Sequence, residues 1–453
     1  MTAHSTSPSD IGEIPSGSLR KVTFASCVGT TIEFYDFFIY ATAAALVFPT
    51  VFFPALGPTA GVVASFATLG VAFVARPVGS VVFGHFGDRI GRKRSLVMTL
   101  LIMGLATTLI GFLPGSATLG VVAPIILVLL RAAQGFAVGG EWAGATLLTA
   151  EHAPAGRRGR YAVYPQLGPA LGFMLSCVTF LVTGGLFGNT NQTFLDYGWR
   201  IPFIVSIALV MVGLWARNSV TETPEFQRAQ AAAENHAGSP RVSPLVDVVR
   251  NQPRDILLAA GAITMQYSFF YMGTAFLTNY GTSPSGMGLS RSTVLSIGIF
   301  ASVMFGAATI VAGRASDRFG RRPVITASCV SGLVWSLVLF PLLGLGGPFA
   351  FAAGLTVLLV IFGICFGPVG AFLPELFETR FRYTGAGLAF SLGGVLGGGV
   401  VPLVAPVLST SFGGMAVGGM LAATALVSLV CVRTLPETKD RDVADGTTTG
   451  QHA

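Results

Sequence analysis

Ionisable side chains set inside long apolar runs are the residues of this chain best placed to do chemistry, because a charge buried in such surroundings costs several kcal/mol unless it is paired or hydrated. In the first apolar run, Ile32-Glu33-Phe34-Tyr35-Asp36-Phe37-Phe38-Ile39-Tyr40 places two carboxylates three residues apart, on one face of a helix. They fall about a dozen residues from the start of the run, roughly 16 Å along a helix and near the middle of a bilayer. Arg76, in the second run, lies at a similar depth. A carboxylate pair beside an arginine titrates as a unit, which makes Glu33, Asp36 and Arg76 a candidate proton switch. The same three groups, permanently ionised, would instead tie two helices together. In the fourth run, Arg131-Ala-Ala-Gln134 adds a cation and an amide one turn apart, and Glu141 follows closer to the far end, where partial hydration is expected. Arg131 can answer a carboxylate of the first run or attract a substrate anion. With Gln134 and Tyr40 it forms a candidate substrate-contact set.

The second half of the chain differs, because from Ile256 onward no Lys, Arg, Asp or Glu lies within an apolar run. That half can offer hydrogen bonds and aromatic faces, chiefly from Gln266, Tyr267 and Tyr271, and no side-chain charge to carry a proton. Interhelical packing is the plainer reading of the two tyrosines. His4, His85, His152, His236 and His452 fall in tails or charged loops, so no central histidine relay is expected. No His-Glu-x-x-His, phosphate-binding loop or serine elbow is present, and glycine runs such as Gly397-Gly398-Gly399 read as close helix packing. An enzyme, a resident cofactor and a metal site are therefore not expected.

Positioning these residues requires a membrane. Hydrophobic residues make up 52% of the chain and charged residues 10%, against about 25% charged in ordinary globular proteins, and the mean hydropathy is +0.72. The net charge of +7 is spread through short loops and does not gather on one exposed face, which argues against nucleic acid. Runs of about 20 apolar residues, separated by Pro- and Gly-bearing turns, predict twelve transmembrane helices. From Arg217 the composition turns charged and too polar to span. The expected organisation is a tail at 1–20, a six-helix bundle at 21–217, a linker at 218–254, a second bundle at 255–433 and a tail at 434–453. With the N-terminus cytoplasmic, all of the 27 Lys and Arg fall in tails and cytoplasmic loops except Arg76, Arg131, Arg200 and Arg291. Both termini are thus expected in the cytoplasm, with no cleavable signal. Cys27, Cys177, Cys329, Cys365 and Cys431 all lie in apolar runs and lack metal-ligand spacing, so they read as packing residues.

The halves repeat one another. Gly84-His-Phe-Gly-Asp88-Arg89-Ile-Gly91-Arg92-Lys93 recurs as Gly313-Arg-Ala-Ser-Asp317-Arg318-Phe-Gly320-Arg321-Arg322, 229 positions later. Glu151 with Arg158 and Glu375 with Arg382 share a seven-residue spacing, and Glu222-Thr223 is echoed by Glu437-Thr438. These loop charges read as gating and topology residues: Asp88, Arg89, Arg92, Glu141, Glu151 and Arg158 in the first half, and Asp317, Arg318, Arg321, Glu375 and Arg382 in the second. The paired loops resemble the signature of the major facilitator superfamily, an all-α membrane fold of two pseudo-symmetric six-helix halves that work by alternating access.

Within that superfamily, Glu33-Phe-Tyr35-Asp36-Phe, Arg76-Pro-Val-Gly, Gln134-Gly-Phe-Ala-Val-Gly-Gly-Glu141, Tyr197-Gly-Trp199-Arg200-Ile-Pro202-Phe and Glu375-Leu-Phe-Glu-Thr379-Arg-Phe-Arg382-Tyr-Thr-Gly385 are similar to the metabolite:H+ symporters across nearly the whole chain. The resemblance implies a plasma- or inner-membrane symporter in the lipid bilayer that imports a small polar metabolite with protons and draws on the proton gradient alone; a monomer is the default expectation. Shikimate-like or other carboxylates, or osmolytes such as proline and glycine betaine, are the substrates it implies. Two intramembrane arginines favour an organic acid, and the tail after Thr438 lacks the heptads of a coiled-coil osmosensor. Gly168-Pro169-Ala-Leu-Gly172 partly matches an element of drug:H+ antiporters, which keeps efflux as a lesser alternative, and a non-transporting receptor as a remote one.

Overall fold

The computed structural model describes residues 16–151, 153–154, 156–188, 192–218, 244–378 and 382–439, and these are helical with no strand among them. The first half contains α1 (Ser16–Leu46), α2 (Gly57–Ile90), α3 (Arg92–Phe112), α4 (Val122–Glu151), α5 (Arg158–Phe187) and α6 (Arg200–Asn218). The second contains α7 (Pro253–Thr282), α8 (Arg291–Phe319), α9 (Arg321–Leu343), α10 (Gly347–Leu376), α11 (Arg382–Phe412) and α12 (Gly414–Thr434). Eleven of these are long and apolar enough to cross a membrane by length and composition, and α1, with Glu33 and Asp36 in its middle, is the twelfth. Helices suit these sequences because a lipid-facing backbone must satisfy its polar groups within its own segment. Of the expected linker, residues 219–243 lie outside the described ones and Pro244–Asn251 form a short helix.

The repeat is visible in the turns. Gly91 between α2 and α3 has φ +106° and Gly320 between α8 and α9 has φ +99°, a region open to glycine and strained for other residues. Each Asp-Arg-x-Gly turn thus reverses the chain at one residue, at the same end of the bundle. Packing repeats as well, since α2 lies along α4 as α8 lies along α10. A Cβ on Gly139 would meet Ser80 N at 2.8 Å and the Arg76 carbonyl carbon at 3.0 Å, so α2 and α4 touch backbone to backbone beside Arg76. The halves meet where α5 packs on α8 and α10, and where α11 packs on α2 and α4.

Three helices at the seam are irregular. α5 is interrupted at Leu167 beside Pro165 and Pro169, and α7 and α11 each contain a π-helical turn, Met272–Leu277 and Gly394–Gly399. The glycines of the α11 turn fit against α7 and α2: a Cβ on Gly398 would meet Tyr271 at 2.6 Å and Phe73 at 2.9 Å. Gly168 and Gly172 likewise admit α1, a Cβ on each meeting Thr30 at 2.5 Å and Phe34 at 2.8 Å.

Candidate functional site

Asp36 is buried at the centre of the first half, where it accepts hydrogen bonds from Thr107 Oγ1 on α3 at 2.7 Å and Ser206 Oγ on α6 at 2.6 Å. Gln134 on α4 extends this chain, its Nε2 donating to Thr107 Oγ1 at 2.6 Å and its Oε1 accepting from Arg131 Nη1 at 2.9 Å. A continuous path of side chains therefore joins the Arg131 cation to the Asp36 carboxyl. Arg131 also stands over the Tyr40 ring at 4.1 Å, and the Tyr40 hydroxyl meets Thr68 Oγ1 at 2.6 Å. Charged donors stabilise a carboxylate more than neutral ones, and the intervening amide and hydroxyl pass polarisation along the path.

Glu33, Asp36, Phe37, Arg76, Arg131 and Gln134 line one small internal cavity. Arg76 lies over the Phe73 ring at 4.5 Å. The Nε atoms of Arg76 and Arg131 and the Oε2 atom of Glu33 are buried without a hydrogen-bond partner, and neither arginine forms an ion pair with a carboxylate among the described residues. Glu33 and Arg76 are close enough to interact electrostatically and do not bond. The cavity thus concentrates unpaired polar atoms, the arrangement that a hydrated polar ligand relieves.

From the second half, Tyr267 and Tyr271 stack at 6.3 Å with both hydroxyls buried and unpartnered, and Tyr271 packs against Phe37 at 5.1 Å and Phe73 at 5.0 Å. Tyr271 therefore packs from across the seam behind Phe37, which lines the cavity. Gln266 stands apart from them: its Oε1 faces the Cys365 thiol of α10 at 3.9 Å and it does not line the cavity.

Charged groups gather at the end of the bundle that carries both Asp-Arg-x-Gly turns. Asp317 accepts from the backbone N–H groups of Gly159 and Arg160, both at 2.8 Å, which joins α8 to the start of α5 across the seam. Arg321 bridges Asp317 at 2.7 Å and Glu375 at 3.2 Å. Thr438 Oγ1 donates to Glu375 at 2.7 Å, and Glu437 accepts from the backbone N–H groups of Arg321 at 2.8 Å and Arg322 at 3.0 Å. Arg158 is within electrostatic reach of Glu375, Arg382 is buried with Nε on the Phe377 carbonyl at 3.2 Å, and Arg318 is exposed over Phe319. The side chains of Asp88, Arg89, Arg92 and Glu151 lie outside the described ones, as do Glu222 and Thr223.

Glu141 departs from its expected hydration. It is 1% exposed, pairs with Arg217 of α6 and accepts from Thr99 Oγ1 at 2.7 Å. Arg217, where the sequence turns polar, is itself buried and also donates to the Leu96 carbonyl. The helix runs two residues past the apolar run, and a buried partner holds the cation there. Sequence reading also passed over the seam contacts: Tyr383 donates to the Gly140 carbonyl at 2.5 Å, Ser80 to the Gly387 carbonyl at 3.1 Å, and Gln166 Nε2 to the Phe366 carbonyl at 2.8 Å. Gln166 also accepts from Trp142 Nε1 at 2.9 Å, and Trp142 stacks on Phe390 at 3.7 Å. Their signal was a glutamine and a tryptophan within apolar runs, which periodicity alone does not separate from packing.

The family model described as Major Facilitator Superfamily matches residues 27–402. The chain is 43% identical to the inner membrane metabolite transport protein YhjE of Escherichia coli K12, over 95% of this chain and 97% of that protein. It is 39% identical to the shikimate transporter of the same organism, over 91% and 93%, and 32% identical to its proline/betaine transporter, over 97% and 87%. Its fold matches the proton:xylose symporter XylE with a TM-score of 0.73 at 17% identity, over 94% of this chain and 97% of that one. With the family match over most of its length, relatives at 32–43% identity and two repeated helical halves among the described residues, the chain belongs to the major facilitator superfamily and is a secondary membrane transporter of metabolites.

Proposed function

We propose that the protein is a proton symporter that imports a small organic acid, shikimate-like or a related carboxylate, by alternating access. The observation that carries this reading is the pair of buried cations, Arg76 and Arg131, that share a cavity with Glu33 and Asp36 and are paired with neither. An anion entering between the guanidinium groups supplies the missing partner, and its charge favours a proton on a neighbouring carboxylate. Arg131 is the substrate-binding cation, Gln134 and Tyr40 orient it, and Tyr267 and Tyr271 shape the pocket and offer hydroxyls. Asp36 and Glu33 take up the proton, with Arg76 opposing them. The similarity to the shikimate transporter supports an organic acid over an osmolyte.

The two Asp-Arg-x-Gly turns face the cytoplasm, an orientation supported by the concentration of Lys and Arg at that end. Asp317 holds that end of the seam shut through the backbone of α5, with Arg321, Glu375, Arg158 and Arg382 grouped around it, and releases it in the opposite state. The protein works as a monomer in the inner membrane, since each chain contains a complete cavity.

The test is uptake into proteoliposomes with an inside-alkaline gradient, using labelled shikimate, citrate, 2-oxoglutarate, proline and betaine in turn. Accumulation of an acid, lost in Asp36→Asn while counterflow exchange survives, is the expected result. Accumulation of proline or betaine instead moves the substrate to the osmolyte class, and outward movement alone overturns import.

A further inference from the structure

A stripe of α1 continues past the substrate cavity toward the charged end. Ser26, Gly29, Glu33 and Asp36 recur at helical spacing on one face, spanning about 15 Å of helix. Ser26 Oγ is buried without a partner, as is Glu33 Oε2. Between them lies the Arg217 guanidinium, admitted by the absence of a side chain at Gly29: a Cβ there would sit 3.0 Å from both Cζ and Nε of Arg217. On its other side Arg217 pairs with Glu141. It also lines a second small cavity, with Ser26, Lys93 and Leu148, at the charged end of the first-half helices. Arg217 thus stands between Glu33, which lines the first cavity, and the second cavity, both lined by first-half residues, with Tyr383 of α11 facing it from the seam.

We propose that Glu141 and Arg217 form a proton route through the first half, separate from the path of the substrate, with Arg217 as its bolt. The inference rests on the proton-coupled reading above. Arg217 closes the route while it pairs with Glu141, because a fixed cation in a narrow passage repels a hydrated proton. Release occurs when Arg217 moves from Glu141 to Glu33. The O–H bond of protonated Glu33 breaks as its carboxylate gains the guanidinium, and the proton passes through water in the cavities to Glu141, where a new O–H bond forms. Glu141 then yields it to the second cavity. The net charge of the three side chains is unchanged by the transfer from Glu33 to Glu141, falls by one when Glu141 releases the proton, and is restored when Glu33 takes up the next.

The surrounding charges fit these roles. Glu33 interacts with Arg76 of α2 and Arg217 of α6, and with Tyr267 and Tyr271 of α7. Arg217 faces Glu33 of α1, Glu141 of α4 and Tyr383 of α11. Lys93 of α3 lines the second cavity, its Nζ donating to the Asn218 carbonyl at 2.9 Å. Glu141 has Thr99 of α3 as its remaining partner.

The full-length protein is reconstituted with trapped pyranine, and the decay of an imposed pH gradient is followed without substrate, with valinomycin and potassium clamping the potential. Arg217→Gln is expected to speed the decay at least tenfold over wild type. Gly29→Ala, which displaces the guanidinium while retaining every charge, is expected to do so as well and serves if Arg217→Gln does not fold. Gradients that persist in the folded variants as in wild type overturn the bolt. With labelled shikimate, Glu141→Gln is expected to lose gradient-driven accumulation at least tenfold and keep counterflow within about twofold. Equal loss of both, or of neither, overturns the route. If wild type itself accumulates no shikimate against the gradient, the symport reading fails for that substrate, and the substrate-free leak still decides the role of Arg217.

Discussion

Arg131 is held by its neighbours without being neutralised: Gln134 takes one N–H, the Tyr40 and Phe37 rings lie beneath the guanidinium, and Nε is left over. A planar fork stacked on an aromatic face is not replaced by a lysine ammonium. Arg131→Lys is therefore expected to weaken substrate binding about tenfold, equivalent to about 1.4 kcal/mol, read as the ligand concentration that half-protects the purified protein from thermal unfolding. Gln266→Ala, removing a side chain that faces Cys365 rather than the cavity, is expected to leave that affinity within about twofold and to lower thermal stability through the gap it opens. At this scale the sequence was informative about charge and silent about hydroxyls. Glu33, Asp36, Arg76, Arg131 and Gln134 were legible because ionisable and amide groups are rare in apolar runs, and they converge on one cavity. Thr107 and Ser206 were not, since serine and threonine in membrane helices routinely bond their own preceding turn, as Thr30 does with Ser26.

Between elements, the α2–α4 contact places Arg76 opposite Gly139, beside the cavity that Arg76 and Gln134 both line. Gly135 and Gly139 are what let the two backbones meet, and Gly139→Ala would drive a Cβ into the Arg76 main chain. Overpacking of this kind costs about 1–3 kcal/mol. Gly139→Ala is expected to lower the apparent Tm in detergent, with a parallel loss of uptake as Arg76 is displaced. Gly320→Ala acts differently, straining the turn at a φ of +99° and crowding Glu437 at 2.7 Å. It is expected to destabilise the charged end and leave ligand affinity nearly unchanged. Helix number and order could be read from apolar length and loop charge. Breaks in α5, α7 and α11 could not, because a π-helical turn is chosen by what packs against it, here the α7 side chains that face Gly394–Gly399. The burial of Arg217 was hidden for a related reason: it ends an apolar run in sequence, and Glu141, far away along the chain, makes its burial tolerable.

For the whole molecule, the seam at the charged end is held by contacts that must all break if the halves are to rock. Asp317 contributes two of them, to the backbone N–H groups of Gly159 and Arg160, and is itself held by Arg321 within its own half. Asp317→Ala is expected to shift the population toward the state open at that end. A cysteine placed at Val163, buried in the seam against Gly313, should then be alkylated at least tenfold faster than in the parent, as measured by mass spectrometry at that peptide. Unchanged labelling would remove Asp317 from the set of gating residues. The repeated loops made this closure legible in outline, and the partner of Asp317, a pair of backbone N–H groups at the start of α5, carries no signature in side-chain identity.

The uneven placement of charge between the halves has a further consequence. Every side chain that lines the central cavity comes from the first six helices, while the second six press uncharged aromatic surface, Tyr271 on Phe37 and Phe73, against it from behind. Mutations that remodel that aromatic surface alter which molecule fits and leave the ionisable machinery intact. Descendants of such a chain are free to change diet by varying one half while inheriting an unaltered engine in the other.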